Sequence, residues 1–161
     1  MAKPAKERFG TPTVLFQVIT KGHIGIVQDT IDRINAVCRE IGYTKYSIWA
    51  VTAASEKFEG CRTIVVPQDY SCNAINKGRA LQYAVEVRKE EKVSSKDLYI
   101  YHLDDESLMT KQTLCSILSY LEQDNPQPIS EGLIVYPLRE KNQLKFQISW
   151  IPSDLSAALN A

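Results

Sequence analysis

The sequence lacks an excess of charge of either sign, a long hydrophobic run and a signal peptide, and each absence removes a class of protein. Lys plus Arg and Asp plus Glu each total 19, so the formal net charge is zero. A neutral chain lacks the positive field that drives phosphate-backbone binding, which makes nucleic acid a poor candidate partner. No apolar run approaches the roughly 18–20 residues of a membrane-spanning helix, and residues 1–8 contain no signal-like hydrophobic stretch. We therefore expect a soluble, cytoplasmic chain with no membrane span.

Cysteine pairs and glycine-rich phosphate loops are also missing. The four cysteines show no Cys-x-x-Cys spacing and no regular spacing to either histidine: Cys38, Cys61, Cys72 and Cys115. A chain of 161 residues needs no disulfide staples, so buried or incidental thiols are favoured over zinc or redox roles. The absence of Gly-x-Gly-x-x-Gly and Gly-Lys-Ser/Thr motifs disfavours a Rossmann dehydrogenase and a P-loop NTPase.

What is present is the composition of an ordinary globular domain, with strand and helix patterns in alternation. Hydrophobic residues make up 44% and charged residues 24% of the chain. Residues 1–12 are polar and predict a flexible lead-in to one domain over 13–161. Short β-branched apolar runs predict strands at 13–20, 46–51, 63–66, 98–103 and 132–136. Apolar residues spaced three and four apart predict helices near 27–41, 72–90 and 114–121, whereas 144–150 suits either a strand or a helix.

This alternation predicts a three-layer α/β/α fold around a mainly parallel sheet. Ligands of such sheets bind beyond the carboxyl ends of the strands. The sequence there offers Asp104-Asp105-Glu106, directly after the fourth strand. In an extended segment side chains alternate, so Asp104 and Glu106 are expected on one side, where two oxygen donors suit a hard cation such as Mg²⁺ or Mn²⁺. The simpler alternative is a solvated acidic turn that caps the following helix.

Two segments together carry a resemblance to a known family. The helix sequence Asn-Lys-Gly-Arg-Ala-Leu-Gln-Tyr-Ala at 76–84 precedes Tyr-His-Leu-Asp-Asp-Glu-Ser at 101–107. This combination resembles the nucleotide-sugar-binding half of inverting family 2 glycosyltransferases, and within them the egghead-like β-1,4-mannosyltransferases. Residues 130–136 are similar to the glycine-led strand that follows in those proteins.

The resemblance implies a GT-A fold, a nucleotide-diphosphate sugar donor and a divalent cation, Mn²⁺ or Mg²⁺. Asp104 and Glu106 occupy the first and last places of an Asp-x-Asp-like motif, with Asp105 in the variable middle place. By that match Glu106 ligates the metal and Asp104 contacts the metal or the donor's ribose. Thr20 matches the position that meets the nucleotide base.

The implied reaction is inverting transfer of a hexose, from GDP-mannose or a UDP-sugar, to the hydroxyl of a glycan or lipid-linked acceptor. Lys77 and Arg79 lie where the family's helix directs basic groups toward the diphosphate. Each also suits the simpler interpretation of a solvated helix charge.

The sequence departs from the family pattern in two places. Alanine follows the second strand where relatives carry an acidic residue that contacts the nucleobase, and Glu56 is only a weak substitute. No segment after Gly132 resembles the family's catalytic-base motif. We therefore expect the donor-binding half of a longer enzyme, incomplete at the C-terminus, whose parent lies at the cytoplasmic face of a membrane, or else a naturally short relative. The alternatives are a non-catalytic α/β nucleotide-binding or scaffold domain and a Mg²⁺-dependent phosphoryl-transfer or hydrolytic enzyme.

Overall fold

Four strands pair in parallel to form the sheet at the centre of the fold. The structure, a computed structural model, describes residues 12–21, 23–93 and 98–123, together with the backbone of two later strands. The elements of the first unit, residues 1–126, run in this order: β1 (Thr13–Thr20), α1 (Ile24–Ile41), β2 (Tyr46–Thr52), β3 (Arg62–Val65), α2 (Lys77–Glu90), β4 (Leu98–Asp104) and α3 (Lys111–Leu121). The strand order in the sheet is β3-β2-β1-β4.

The central strand β1 is apolar on both faces because helices cover both. Val14, Phe16 and Val18 pack on the side of α1 and α3, and Leu15 and Ile19 pack on the side of α2. Full burial of one such side chain contributes about 1.5–3 kcal/mol, so this one strand anchors both layers. The predicted α/β/α layering around a parallel sheet is confirmed.

Helix α1 follows from its apolar stripe and ends at a glycine. Val27, Ile31, Ile34 and Cys38 are fully buried along one side. Gly42 then takes the left-handed conformation, with φ of 73°, and its N–H bonds to the carbonyl of the last helical turn. This C-terminal arrangement favours glycine, since a β-carbon is strained at positive φ.

The predicted elements are present, with most ends within three residues of the predicted ones and the fifth strand running to Glu140 rather than 136. Two larger corrections concern a helix start and an ambiguous segment. Helix α2 begins at Lys77 rather than near residue 72, because Asn76 has φ of 51° and ψ of −126°, which no α-helix accommodates. Residues 144–149 of the ambiguous segment lie in a strand, and residue 150 is outside the described residues: β5 (Ile134–Glu140) and β6 (Gln143–Ser149) form a separate antiparallel pair in the second unit, residues 127–161. Residues 1–11 of the predicted lead-in and the Gly132 start of the fifth strand lie outside the described residues.

All four cysteines are free thiols, as the spacing predicted, and Cys38 is buried. Its burial raises the pKa of the Cys38 thiol to about 12. Within the described part of the chain, no helix combines the length and the apolar character needed to cross a bilayer.

The strand order reverses between β1 and β4. The chain moves outward from β1 through β2 to β3, and then returns over the sheet through α2 to place β4 on the other side of β1. The loops after β1 and β4, and the start of α2, therefore meet at the carboxyl edge of the sheet, where a parallel α/β fold binds its ligands.

Candidate functional site

The acidic segment lies at the carboxyl edge, beside the end of β1. Ile19 of β1 is in register with Asp104 of β4, which brings the next residues, Thr20 and Asp105, alongside each other. The Thr20 hydroxyl donates a hydrogen bond to Oδ2 of Asp105 over 3.3 Å. Thr20 is buried, so this contact links the acidic segment to the interior of the sheet.

The chain turns sharply after Asp104. The amide of Ser107 donates to the carbonyl of Asp104 over 3.0 Å, which closes a turn over residues 104–107. We call residues 104–107 the acidic turn. The alternation of side chains that holds in an extended strand does not apply within it, so that argument for placing Asp104 and Glu106 on one side was wrong.

A buried threonine of α1 holds the backbone of the acidic turn. Thr30 is 5% exposed, and its hydroxyl lies 2.8 Å from the carbonyl oxygen of Asp105 and 3.4 Å from that of Ser107. One hydroxyl proton serves one acceptor at a time, and the shorter contact identifies Asp105 as the main partner. Sequence reasoning missed Thr30, although a threonine inside an apolar helix stripe signals a buried hydroxyl that needs an acceptor.

The three carboxylates differ in exposure. The side chain of Asp105 is 14% exposed, whereas that of Asp104 is 66% exposed. Glu106 is also exposed. The middle residue of the acidic turn is thus built into the fold, while its two neighbours are presented at the surface.

Lys77, the first residue of α2, is the basic group that meets these carboxylates. Its Nζ lies 2.6 Å from Oδ1 of Asp104 and 3.5 Å from Oδ1 of Asp105. The hydrogen bond that Lys77 donates to Asp104 is the main cause that raises the pKa of Lys77 above its ordinary value, and Asp105 adds to the effect. The structure therefore brings together four of the predicted site residues: Thr20, Lys77, Asp104 and Asp105.

Arg79, the other predicted basic residue, bonds to a backbone loop. Its guanidinium donates to the carbonyl oxygens of Pro67, Gln68 and Tyr70, and lies 5.6 Å from the centre of the Tyr70 ring. These contacts hold the loop after β3 against α2. Its proposed role toward a diphosphate stays a prediction.

Glu56 follows β2 and has an unusual environment. One carboxylate oxygen, Oε2, is shielded from solvent and has no hydrogen-bond partner among the described residues. A buried acceptor without a donor costs about 1–3 kcal/mol, so this oxygen needs a donor from outside the described residues, either a water or a ligand. The sequence placed Glu56 after β2 but carried no signal of this burial.

The donor set at the acidic turn suits a hard cation only in part. Within residues 12–21, 23–93 and 98–123, no group of three or more His, Cys, Asp or Glu side chains is arranged to hold a metal ion. Mg²⁺ in nucleotide sites is commonly held by one or two carboxylates, with waters and substrate phosphates completing the shell. The exposed oxygen donors of the acidic turn fit a cation shared with a diphosphate, not a cation caged by protein alone.

A separate cleft lies at the opposite edge of the sheet. It has a volume of about 580 Å³ and is lined by Asn35, Arg39, Tyr43 and Tyr46, among others, where α1 ends and β2 begins. Two of these side chains already bond to each other, since the Tyr46 hydroxyl donates to Oδ1 of Asn35 over 2.9 Å. The cleft contains none of the predicted site residues, so the acidic turn is the better candidate site.

Comparison with known proteins confirms the predicted resemblance to the egghead-like β-1,4-mannosyltransferases. Over 132 residues the chain is 33% identical to β-1,4-mannosyltransferase bre-3 of Caenorhabditis briggsae and to its counterpart in Caenorhabditis elegans. It is 30% identical over 131 residues to β-1,4-mannosyltransferase egh of Drosophila melanogaster. Each match covers 78% of this chain but 28% of the relative, so the chain spans little more than a quarter of their length. No protein-family model matches the chain, and no solved structure matches it.

Proposed function

We propose that this chain is the donor-binding part of an inverting glycosyltransferase that transfers mannose from a nucleotide-diphosphate sugar. The observation that carries the proposal is the cluster of Lys77, Asp104, Asp105 and Thr20 at the carboxyl edge, within a chain similar to β-1,4-mannosyltransferases. A protein binds a diphosphate through positively charged groups. A carboxylate can lie beside a diphosphate only when a cation between them offsets their mutual repulsion. The cluster supplies one ammonium group and carboxylates for one cation.

In this proposal Asp104 and Glu106 hold a Mn²⁺ or Mg²⁺ ion at the surface of the acidic turn, and Asp105 fixes the turn. When bound, such a cation neutralises the charge that develops on the departing diphosphate. Lys77 contributes a further positive charge on the same side, which favours the leaving group in the transition state. Arg79 is occupied by backbone carbonyls, which supports Lys77 as the basic group that faces the donor.

We propose a guanine base in the donor. A carboxylate accepts hydrogen bonds only, and guanine presents two adjacent N–H donors, N1–H and the N2 amino group, to the two oxygens of Glu56, where uracil presents N3–H alone. A ligand donor would satisfy the otherwise unpartnered oxygen. We propose GDP-mannose as the donor, with Glu56 in contact with the base.

The acceptor and the catalytic base are not assigned to the described residues. An inverting transfer needs a carboxylate that takes the proton of the acceptor hydroxyl on the side opposite the diphosphate. The sequence predicts none after Gly132. The function proposed for this chain is therefore donor binding, with a glycan or lipid-linked acceptor as partner of the complete enzyme.

Calorimetric titration with GDP and UDP, each with Mn²⁺ and with a chelator, tests the proposal. We expect GDP to bind in the presence of Mn²⁺ and to bind at least tenfold more weakly without it. Asp104→Asn and Glu106→Ala should each abolish the effect of Mn²⁺. The matched control is Glu40→Gln, which removes a carboxylate paired with Lys111 in the same unit, away from the acidic turn.

Each other outcome points to a different function. Failure to bind either diphosphate under any metal condition contradicts donor binding and supports the scaffold alternative. Turnover of a simple phosphate ester supports the phosphoryl-transfer alternative. Equal binding of GDP and UDP, unchanged in Glu56→Gln, contradicts the role of Glu56 while leaving donor binding intact.

A further inference from the structure

We infer that Lys77 is an exchangeable counter-ion: its ammonium holds the acidic turn before the donor binds, and moves onto the diphosphate when a divalent cation takes its place. The inference rests on the proposed function. It concerns how the same carboxylates alternate between two positive partners.

The geometry places Lys77 where it competes with a cation. Its Nζ lies 2.6 Å from Oδ1 of Asp104 and within 3.5 Å of Oδ1 of Asp105, so the positive charge lies between the two carboxylates. A magnesium ion binds carboxylate oxygen at about 2.0–2.1 Å. An ion that close to Asp104 would face an ammonium only a few ångströms away, and the two positive charges repel. The cation therefore binds well only when the ammonium has another negative partner.

The start of α2 supplies the reason that Lys77 leaves. The N-terminus of a helix is its positive end, and a lysine there is unfavourable unless carboxylates compensate for it. The first turn of α2 contains no acidic residue, and no side chain caps it at Asn76. This helix end therefore favours an incoming anion. A diphosphate at this position would satisfy both the helix end and the ammonium.

The side chain has the freedom that the exchange requires. Lys77 is 40% exposed and attached to the first residue of its helix, so rotation of its flexible stem moves the charge without disturbing the core. Asp105 stays in place because Thr20 bonds to its carboxylate and Thr30 to its backbone carbonyl. The exchange thus needs the movement of one side chain.

The consequence is that cation and diphosphate bind in a mutually dependent way. With no diphosphate, Mn²⁺ has to displace Lys77 and binds weakly. With diphosphate bound, Lys77 is drawn away and Mn²⁺ binds tightly. This coupling is reciprocal: the factor by which bound diphosphate increases the affinity for Mn²⁺ equals the factor by which bound Mn²⁺ increases the affinity for diphosphate.

The test measures Mn²⁺ binding by the electron paramagnetic resonance signal of the free ion, with and without saturating GDP, in wild type and in Lys77→Met. We expect the variant to bind Mn²⁺ alone about tenfold more tightly than wild type, and the tightening of Mn²⁺ by GDP to fall at least tenfold. Lys77→Arg keeps the charge and should keep most of the coupling. The matched control is Lys111→Met. Lys111 is likewise the first residue of a helix, α3, and its Nζ forms an ion pair with Glu40 over 3.0 Å.

Urea denaturation checks that each variant is folded before its binding is compared. If Lys77→Met does not fold, Lys77→Gln, which also removes the charge, provides the comparison. Two results would overturn the proposed exchange. The first is that Lys77→Met binds Mn²⁺ alone no more tightly than wild type does. The second is that GDP tightens Mn²⁺ binding as much in Lys77→Met as in wild type. Wild type that binds no GDP under any condition contradicts the proposed function instead. The two failures are therefore distinguishable.

Discussion

Removal of the Thr30 hydroxyl should loosen the acidic turn without disturbing the core. Thr30→Val keeps the shape of the side chain but leaves the Asp105 carbonyl, 2.8 Å away, without its donor. Thr30 is buried, so water replaces that donor poorly. A buried carbonyl that loses its partner costs about 1–3 kcal/mol, and we expect a loss of about 1–2 kcal/mol because the substituted valine adds apolar contact.

The assay is urea denaturation followed by titration with GDP and Mn²⁺. With a slope of about 2 kcal/mol per molar urea, the midpoint should fall by roughly 0.5–1 M. GDP affinity should also fall, because the acidic turn is then no longer held in the binding geometry.

The matched control is Tyr43→Phe. It removes a buried hydroxyl whose oxygen lies 2.7 Å from the carbonyl of Lys45, near the start of β2 and away from the acidic turn. We expect a similar loss of stability with no change in GDP affinity. Thr30→Val with full stability, or with lowered stability and unchanged GDP affinity, would refute the reasoning that α1 positions the turn.

Three further predictions follow from other contacts. Arg79→Lys cannot reproduce the forked contacts to the loop carbonyls, so stability should fall by about 1–2 kcal/mol and amide exchange should speed up around Tyr70, measured by hydrogen exchange. Partial burial of the ring and the nearby Arg88 guanidinium lower the pKa of His102, so stability is lost as pH falls below the ordinary value of about 6.5. Arg88→Met should raise that pKa in an NMR titration, and an unchanged value contradicts the role of the guanidinium. Cys38 should resist thiol reagents at pH 8 until the protein unfolds, because burial raises the pKa of its thiol to about 12. Labelling of all four cysteines in the native protein would contradict this packing.

Local pattern was enough to predict the fold of the first unit. β1 could be identified because an unbroken β-branched run leaves few alternatives to a strand buried on both faces, and α1 because its stripe and terminal glycine agree. The start of α2 was placed too early because apolar spacing does not report the φ of Asn76. The segment 144–150 was ambiguous because seven residues satisfy two periods at once, and only pairing with β5 makes residues 144–149 a strand.

The candidate site was predictable in position but not in its pairings. A strand that ends in acids places those acids at the carboxyl edge, and this needs no coordinates. The ion pair of Lys77 with Asp104 joins residues 27 apart and depends on how α2 crosses the sheet. The roles of Thr30 and Glu56 depend on burial, which neither residue reveals through its neighbours in sequence.

The acidic turn divides two tasks between adjacent carboxylates. Asp105 accepts from Thr20 through its side chain and from Thr30 through its backbone, so folding has already fixed its position. Asp104 and Glu106 flank that fixed residue and remain exposed, and in the proposed function they would hold the cation once Lys77 has left Asp104. A binding group loses less conformational freedom when its neighbour in the chain is already ordered. In the proposed function, Asp105 is therefore the residue that positions its two neighbours for the cation.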